Sequence, residues 1–271
     1  MAKLVTLEIK NAVAIVTFNN PPRGYMNAAQ VEELGVIVDQ VVADDVVRVV
    51  VFTGGVPGVF IRHYDVAEIV AVADFIKGSN RTEDQLMAAG ERGNAISAVF
   101  DKVDQMPKPT IAAINGFVQG GGFEFALCCD IRIAEAGDYR IGLPETNIGI
   151  FPGAGGTERL PRVIGEAKAL ELILRGRTVG PVEALSIGMV HEVASASALS
   201  RALEIAGEMA AMPARGIAEA KALVKRTEEK SLDEAWGHAR GRFSVLIAGD
   251  DEAGTAMKKF LDDGEDINKR T

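Results

Sequence analysis

Two glutamates and the glycines around them carry most of the chemical information in this chain. Glu124 is the single charge in the apolar run FEFALCC, which follows Gly120, Gly121 and Gly122. A carboxylate inside such a run is costly to bury unless it is paired or put to use, so the choice lies between an unseen Arg or Lys partner and a catalytic role. Three successive glycines let the backbone approach a ligand closely, and a helix start behind them presents free amides, the arrangement an oxyanion needs. An ordinary tight turn would account for the glycines alone. Glu145 follows Pro144, ahead of Gly153, Gly155 and Gly156, which open what reads as another helix. No Gly-Lys-Ser/Thr follows, and Glu158 stands where GxGxxG needs its last glycine, so neither phosphate-loop pattern fits. A compact turn lining a pocket suits that loop better. In a third segment, Gly54–Ile69, a buried strand gives way to a loop and then to a helix beginning near Asp65, where an N-cap role suffices for the aspartate. Arg62, His63 and Tyr64 are either exposed loop residues or ligand contacts.

These residues need elements to place them. Leu4–Ile9 and Val13–Phe18 read as strands, and Val31, Leu34, Val38, Val41 and Val42 recur at helical spacing, giving a β-β-α opening. Arg48–Gly55 and Pro109–Gly116 read as fully buried strands, with a polar helical stretch over roughly residues 79–105 between them. The pattern thus predicts a recurring β-β-α unit, without the identity that would make it a sequence repeat. Beyond about residue 195 strand patterns stop, which divides the chain into a core over 1–195 and a helical region over 196–271. Ser231 and Glu234 have capping-box spacing, and Leu232, Ala235, Trp236, Ala239, Phe243 and Leu246 form an apolar stripe that something must cover. Ala253, Ala256, Met257, Phe260 and Leu261 form a second one. The covering surface is either the chain's own core or a neighbouring subunit.

Composition narrows the function classes. A chain of 271 residues with 48% apolar content can bury a sizeable core. A formal net charge of −9 argues against a nucleic-acid footprint. No signal-like start occurs in MAKLVTLEIK, and no apolar run reaches the ~18 residues of a membrane span, so a cytoplasmic protein without membrane partners is expected. Cys128 and Cys129 are adjacent in an apolar run, the usage of buried thiols in a reducing compartment. His63, His191 and His238 are scattered without metal-ligand spacing, so no metal is expected. No GxSxG elbow offers a nucleophilic serine.

The order of the three chemical segments resembles the enoyl-CoA hydratase/isomerase (crotonase) superfamily. NGFVQGGGFEFALCCD is similar to its NGxxxGGGxELxxxCD signature, LPETNIGIFPGAGGTERLPR to its PExxxGxxPGxGGTxRLxR signature, and GVFIRHYD occupies the place of its FxAGxD loop. NNPPRGYMNA, GRTVGPVEALSIGMVHEV and AMKKFLDD are similar to further landmarks, so the resemblance spans nearly the whole chain. It implies an α/β fold, a crotonase-like spiral of repeated β-β-α units, with a C-terminal helical trimerisation region and assembly as a homotrimer or a hexamer of two trimers. It implies that the amides of Tyr64 and Gly121 form an oxyanion hole for a thioester oxygen, and that Glu124 and Glu145 manage the protons, Glu145 as donor and Glu124 fixing the water. Coenzyme A, as part of the substrate and not a separate cofactor, would contact Arg62, His63, Tyr64, Asp65, Gly120 and Gly121. The implied reaction is hydration of a 2-enoyl-CoA to a 3-hydroxyacyl-CoA. An enoyl-CoA isomerase or a hydroxycinnamoyl-CoA hydratase-lyase would share the fold, and a catalytically silent coenzyme A binding or assembly protein is the rival of another class. Two features depart from the family pattern. Arg62, His63 and Tyr64 replace small residues, and Asp262 and Asp263 stand where a basic pair often follows the final FLE.

Overall fold

In a computed structural model, residues 3–226 and 231–262 are described. The chain opens with β1 (Val5–Lys10), β2 (Val13–Phe18) and α1 (Ala28–Ala43). Three turns of a spiral follow, each giving one strand to a large sheet and one short strand to a small sheet. The first is β3 (Val49–Gly54) and β4 (Val59–Ile61), leading into α2 (Val66–Gly78), α3 (Glu83–Glu91) and α4 (Ala95–Gln105). The second is β5 (Thr110–Ile114) and β6 (Phe117–Gln119), leading into α5 (Gly121–Cys128). The third is β7 (Ile131–Glu135) and β8 (Ile141–Gly142), leading through a 3-10 turn (Glu145–Ile148) into α6 (Gly156–Ile164) and α7 (Glu166–Leu174). Then come β9 (Thr178–Val179), α8 (Pro181–Ser186), β10 (Glu192–Ala194), α9 (Ala198–Ala210), α10 (Ala214–Arg226), α11 (Leu232–Gly249) and α12 (Asp251–Asp262).

The large sheet runs β1-β2-β3-β5-β7-β10, antiparallel only at β1–β2, and the small one runs β4-β6-β8-β9, antiparallel only at β8–β9. The parallel strands VVVFTG and TIAAI are apolar along nearly their whole length because both faces are covered. On one face lies the larger core cluster, with α1, α4 and α5. On the other lies α9, whose Ala198, Ala202 and Ala206 are fully buried against Val49, Val51, Ile111 and Ile133. Alanines at i, i+4 and i+8 make a flat stripe that lets this helix lie close to the sheet.

Several expectations are refined. The stretch over 79–105 is two helices, because Gly93 turns the chain in a left-handed conformation and Asn94 with Ser97 caps a new start. Val42 is surface-exposed on α1 while Val31, Leu34, Val38 and Val41 are buried. Among the described residues no strand follows residue 195, and α9, just beyond it, packs on the large sheet. The looser region is α10–α12. Lys221 on α10 ties it to Asp130 by a 2.7 Å ion pair, Arg242 on α11 pairs with Glu219, and Glu252 on α12 pairs with Arg48 at 2.9 Å. No residue of α11 or of the described α12 is buried, so the two apolar stripes are not covered by the chain's own core. Ser231 and Glu234 do form the expected capping box. Asp262 is exposed at the end of α12, and Asp263 lies outside the described residues.

Candidate active site

The site is built on α5, an eight-residue helix whose residues from Gly122 to Cys128 are all buried. Phe125 anchors it: the ring lies 5.1 Å from Phe18, 5.0 Å from Phe52 and 5.4 Å from Phe100, each edge-on. Edge-to-face pairs contribute about 0.5–1.5 kcal/mol each beyond burial, so the helix is fixed by the residue beside Glu124. Gly120 turns into the helix at φ +50°, a conformation that disfavours any side chain. A Cβ on Gly122 would lie 2.1 Å from the Ile61 carbonyl oxygen, so only glycine lets α5 sit down on β4.

This seating brings two backbone segments together. A Cβ on Gly121 would be 3.2 Å from the Tyr64 Cβ and 3.6 Å from the Tyr64 amide nitrogen. The His63–Tyr64 peptide is held by its carbonyl, which accepts the Met26 amide at 2.9 Å, and the Asp65 amide donates to the Met26 carbonyl at 2.7 Å. Among the described residues, the amides of Tyr64 and Gly121 donate to no protein acceptor. Two adjacent, anchored donors without an internal partner can receive a ligand oxygen.

Both glutamates lie beside this point. Glu124 Oε1 accepts the amides of Ala154 at 2.7 Å and Gly156 at 2.9 Å, on the loop leading into α6. Its Oε2 would lie 3.9 Å from a Cβ on Gly121. Burial pushes its pKa up, and the two amides and the Arg159 guanidinium pull it back. Glu145, in the 3-10 turn, has its Oε1 3.2 Å from where a Gly120 Cβ would be. Among the described residues neither carboxyl oxygen of Glu145 has a hydrogen-bond partner, and both are buried. Burial first, then the charge of Glu124, pushes its pKa up to about 7. Two carboxyls with unlike surroundings can divide acid and base roles, the one with amide donors and a guanidinium favouring its charged form and the other its protonated form.

The unusual loop is well tethered. Tyr64 Oη donates to Glu68 Oε2 at 2.6 Å, and the same oxygen accepts the Ala28 amide at 2.9 Å, which ties the loop to α2 and α1. Burial and that bond raise the phenol pKa, so the hydroxyl stays protonated. His63 stacks on Tyr25 at 4.3 Å and its Nδ1 lies 2.6 Å from the Tyr64 carbonyl, which requires a proton on that nitrogen. The Arg62 guanidinium lies 4.9 Å from the Phe117 ring centre, and its Nε donates to the Arg23 carbonyl. Asp65 accepts the Ala67 amide as the N-cap of α2. The structure therefore gathers His63, Tyr64, Gly120, Gly121, Glu124 and Glu145 around one point, and turns Arg62 and Asp65 toward Phe117 and α2. Sequence reasoning did not single out the amides of Ala154 and Gly156, or Arg159 and Glu68. The signals were there: Arg159 stands three residues after Gly156, and Glu68 one helical turn after Tyr64.

The sequence profile described as enoyl-CoA hydratase/isomerase matches residues 8–266. A probable enoyl-CoA hydratase of Bacillus subtilis (strain 168) is 35% identical over 260 residues, covering 95% of each chain. A short-chain-enoyl-CoA hydratase of Clostridium acetobutylicum is 33% identical over 260 residues, covering 95% of this chain and 94% of that one. The crystal structure of an enoyl-CoA hydratase from Bacillus anthracis superposes with a TM-score of 0.82 at 31% identity, over 95% of this chain and 96% of the other.

Proposed function

This chain belongs to the enoyl-CoA hydratase/isomerase family, and from that premise we propose that it adds water across the double bond of a 2-enoyl-CoA to give a 3-hydroxyacyl-CoA. The observation that carries this reading is the unequal pair of glutamates beside two free amides.

Water held by Glu124 attacks C3 of the thioester as Glu124 takes its proton. The π electrons of the C2–C3 bond move toward the thioester oxygen, and the negative charge there is received by the amides of Tyr64 and Gly121. One preorganised donor at such an oxygen is worth about 10²–10³ in rate. The protonated Glu145 delivers its proton to C2 and the enolate collapses to the saturated thioester. The pair ends with its one proton on Glu124 instead of Glu145, and exchange with solvent resets it. The role of base falls to Glu124 because two amides hold its charge, and that of acid to Glu145 because nothing does. The activating group is the substrate's own thioester, so the reading requires no separate cofactor. Coenzyme A would lie along Arg62, His63, Tyr64 and Asp65 and across Gly120 and Gly121. The support is a half-exposed surface of cation and rings, Arg62 on Phe117 and His63 on Tyr25.

Loss of the enoyl-thioester absorbance is the test, run on a panel of 2-enoyl-CoA, 3-enoyl-CoA and hydroxycinnamoyl-CoA substrates. Hydration of the 2-enoyl substrates should fall about 10²–10⁴-fold in both Glu124→Gln and Glu145→Gln. Activity confined to either of the other substrate types would move the assignment to an isomerase or a hydratase-lyase, and coenzyme A binding with no turnover to a silent binder. The same reading includes assembly through the C-terminal helices as a homotrimer or a pair of trimers. Its support is the surface position of Leu232, Trp236 and Phe243 on α11, each more than 60% exposed in the single chain. A monomeric mass by light scattering would remove that part.

A further inference from the structure

We propose that Arg159 is a positioning residue for Glu124, acting through the loop whose amides grip that carboxylate. The inference rests on the reading of Glu124 as the base. Both donors to Glu124 Oε1 come from the short stretch Ala154–Gly156, so the place of the carboxylate is set by the shape of that stretch. Arg159 holds it from beneath: Nη1 donates to the Ala154 carbonyl at 3.1 Å while the Ala154 amide donates to Glu124. The guanidinium fills the space below Gly155, where a Cβ would lie 1.9 Å from Nη1. Its other nitrogens face α4, Nη2 on Asp101 at 2.8 Å and Nε 3.6 Å from Asp104, and the side chain is only 15% exposed. A planar fork engaged on three sides fixes an orientation that a flexible ammonium cannot.

The contacts close a circuit. Asp104 also pairs with Lys225 of α10, and Lys225 and Lys221 reach Asp130 at 3.3 Å and 2.7 Å, just past the end of α5. The helix bearing Glu124 is thus held at its first turn through Arg159 and at its last through α10. Arg159 does more than pack, since its positive charge favours the Glu124 carboxylate. The other ionisable groups facing Glu124 are Glu158 on α6, which opposes that charge, Glu145 on the 3-10 turn, Asp101 and Asp104 behind Arg159, the neutral Tyr64 phenol, and the Cys128 thiol, kept protonated by burial.

The experiment is a carbon NMR titration of the glutamate carboxyls in the substrate-free protein, with Glu124 assigned by its absence in Glu124→Gln. In Arg159→Gln the Glu124 titration should move up by about one pH unit, because a favourable charge has been removed. The acid limb of kcat/KM should move up with it, so the loss of activity is largest at low pH and shrinks as pH rises. Arg159→Lys retains the charge and should bring the titration most of the way back. Asp104→Asn leaves Arg159 in place on Asp101 and removes one negative charge behind it, so the same titration should move down; this variant serves if Arg159→Gln does not fold. Lys225→Met should lower the melting temperature without moving the titration. A Glu124 titration unmoved in the Arg159 and Asp104 variants, or a loss in Arg159→Gln equal at every pH, overturns the proposal and reduces Arg159 to a tie between α6 and α4. The titration needs no turnover. A wild-type protein that hydrates nothing on the panel therefore ends the hydratase reading, while the Arg159 inference is decided by NMR alone.

Discussion

The two sides of the site handle the same carboxyl group in opposite ways. On the α5–α6 side the charge is provided for: Glu124 Oε1 has two amide donors and a guanidinium lies nearby. On the side of the 3-10 turn Glu145 is buried with neither oxygen bonded. Left unmet, a buried polar group costs about 1–3 kcal/mol and more when charged, so the second side is kept at the expense of stability. The difference teaches that the chemistry is set less by the identity of the side chains than by where the backbone amides point. Four amides, from Tyr64, Gly121, Ala154 and Gly156, lie on the donor-rich side, and two of them are left for a ligand.

The largest test of this contrast removes one donor from the rich side. Tyr64→Pro deletes an amide hydrogen that the proposed mechanism directs at a thioester oxygen, and should reduce kcat about 10²–10³-fold. Tyr64→Ala keeps the amide and should stay within about tenfold of wild type, its residual loss coming from the broken phenol tie to Glu68. Equal rates in the two variants, with both shown folded by circular dichroism, would mean that the donor-rich side does not carry the oxyanion.

How far the sequence revealed this differs along the same boundary. The long buried strands, Asp65 as a cap, Glu124 in the first turn of its helix and the C-terminal capping box were legible, because each depends on neighbours a few residues apart. The strands of the small sheet were not, since runs such as Ile141–Gly142 are too short to show a period and exist only by pairing with distant chain. Nor could the unequal surroundings of the glutamates be read. The Ala154 amide reaches Glu124 across 30 residues, and local sequence shows only that glycines cluster near each carboxylate. The stripe on α11 was legible as a surface to be covered, while what covers it depends on assembly.

The smaller test acts on the donor-poor side and reads one proton twice. Glu145 has a folded-state pKa of about 7 against an ordinary 4.5, so the native state holds a proton that the unfolded chain releases earlier. The associated stability is fully present below about pH 4.5 and is lost as pH climbs through 7, a difference of at most about 3 kcal/mol for this shift. Glu145→Gln cannot ionise, so it should melt above wild type at pH 8, with the gap closing toward pH 5. No gain at pH 8 would mean that a partner relieves the Glu145 charge in solution. The proposed reaction gives the same proton a role in turnover. In the proposed mechanism hydration needs it on Glu145 and dehydration needs it on Glu124, so both directions would require the pair to hold one proton in all. Wild-type kcat/KM should then fall about tenfold per pH unit above about 7, identically in the two directions. A flat profile to pH 9 would show that the donor-poor side does not supply the acid, however its stability responds.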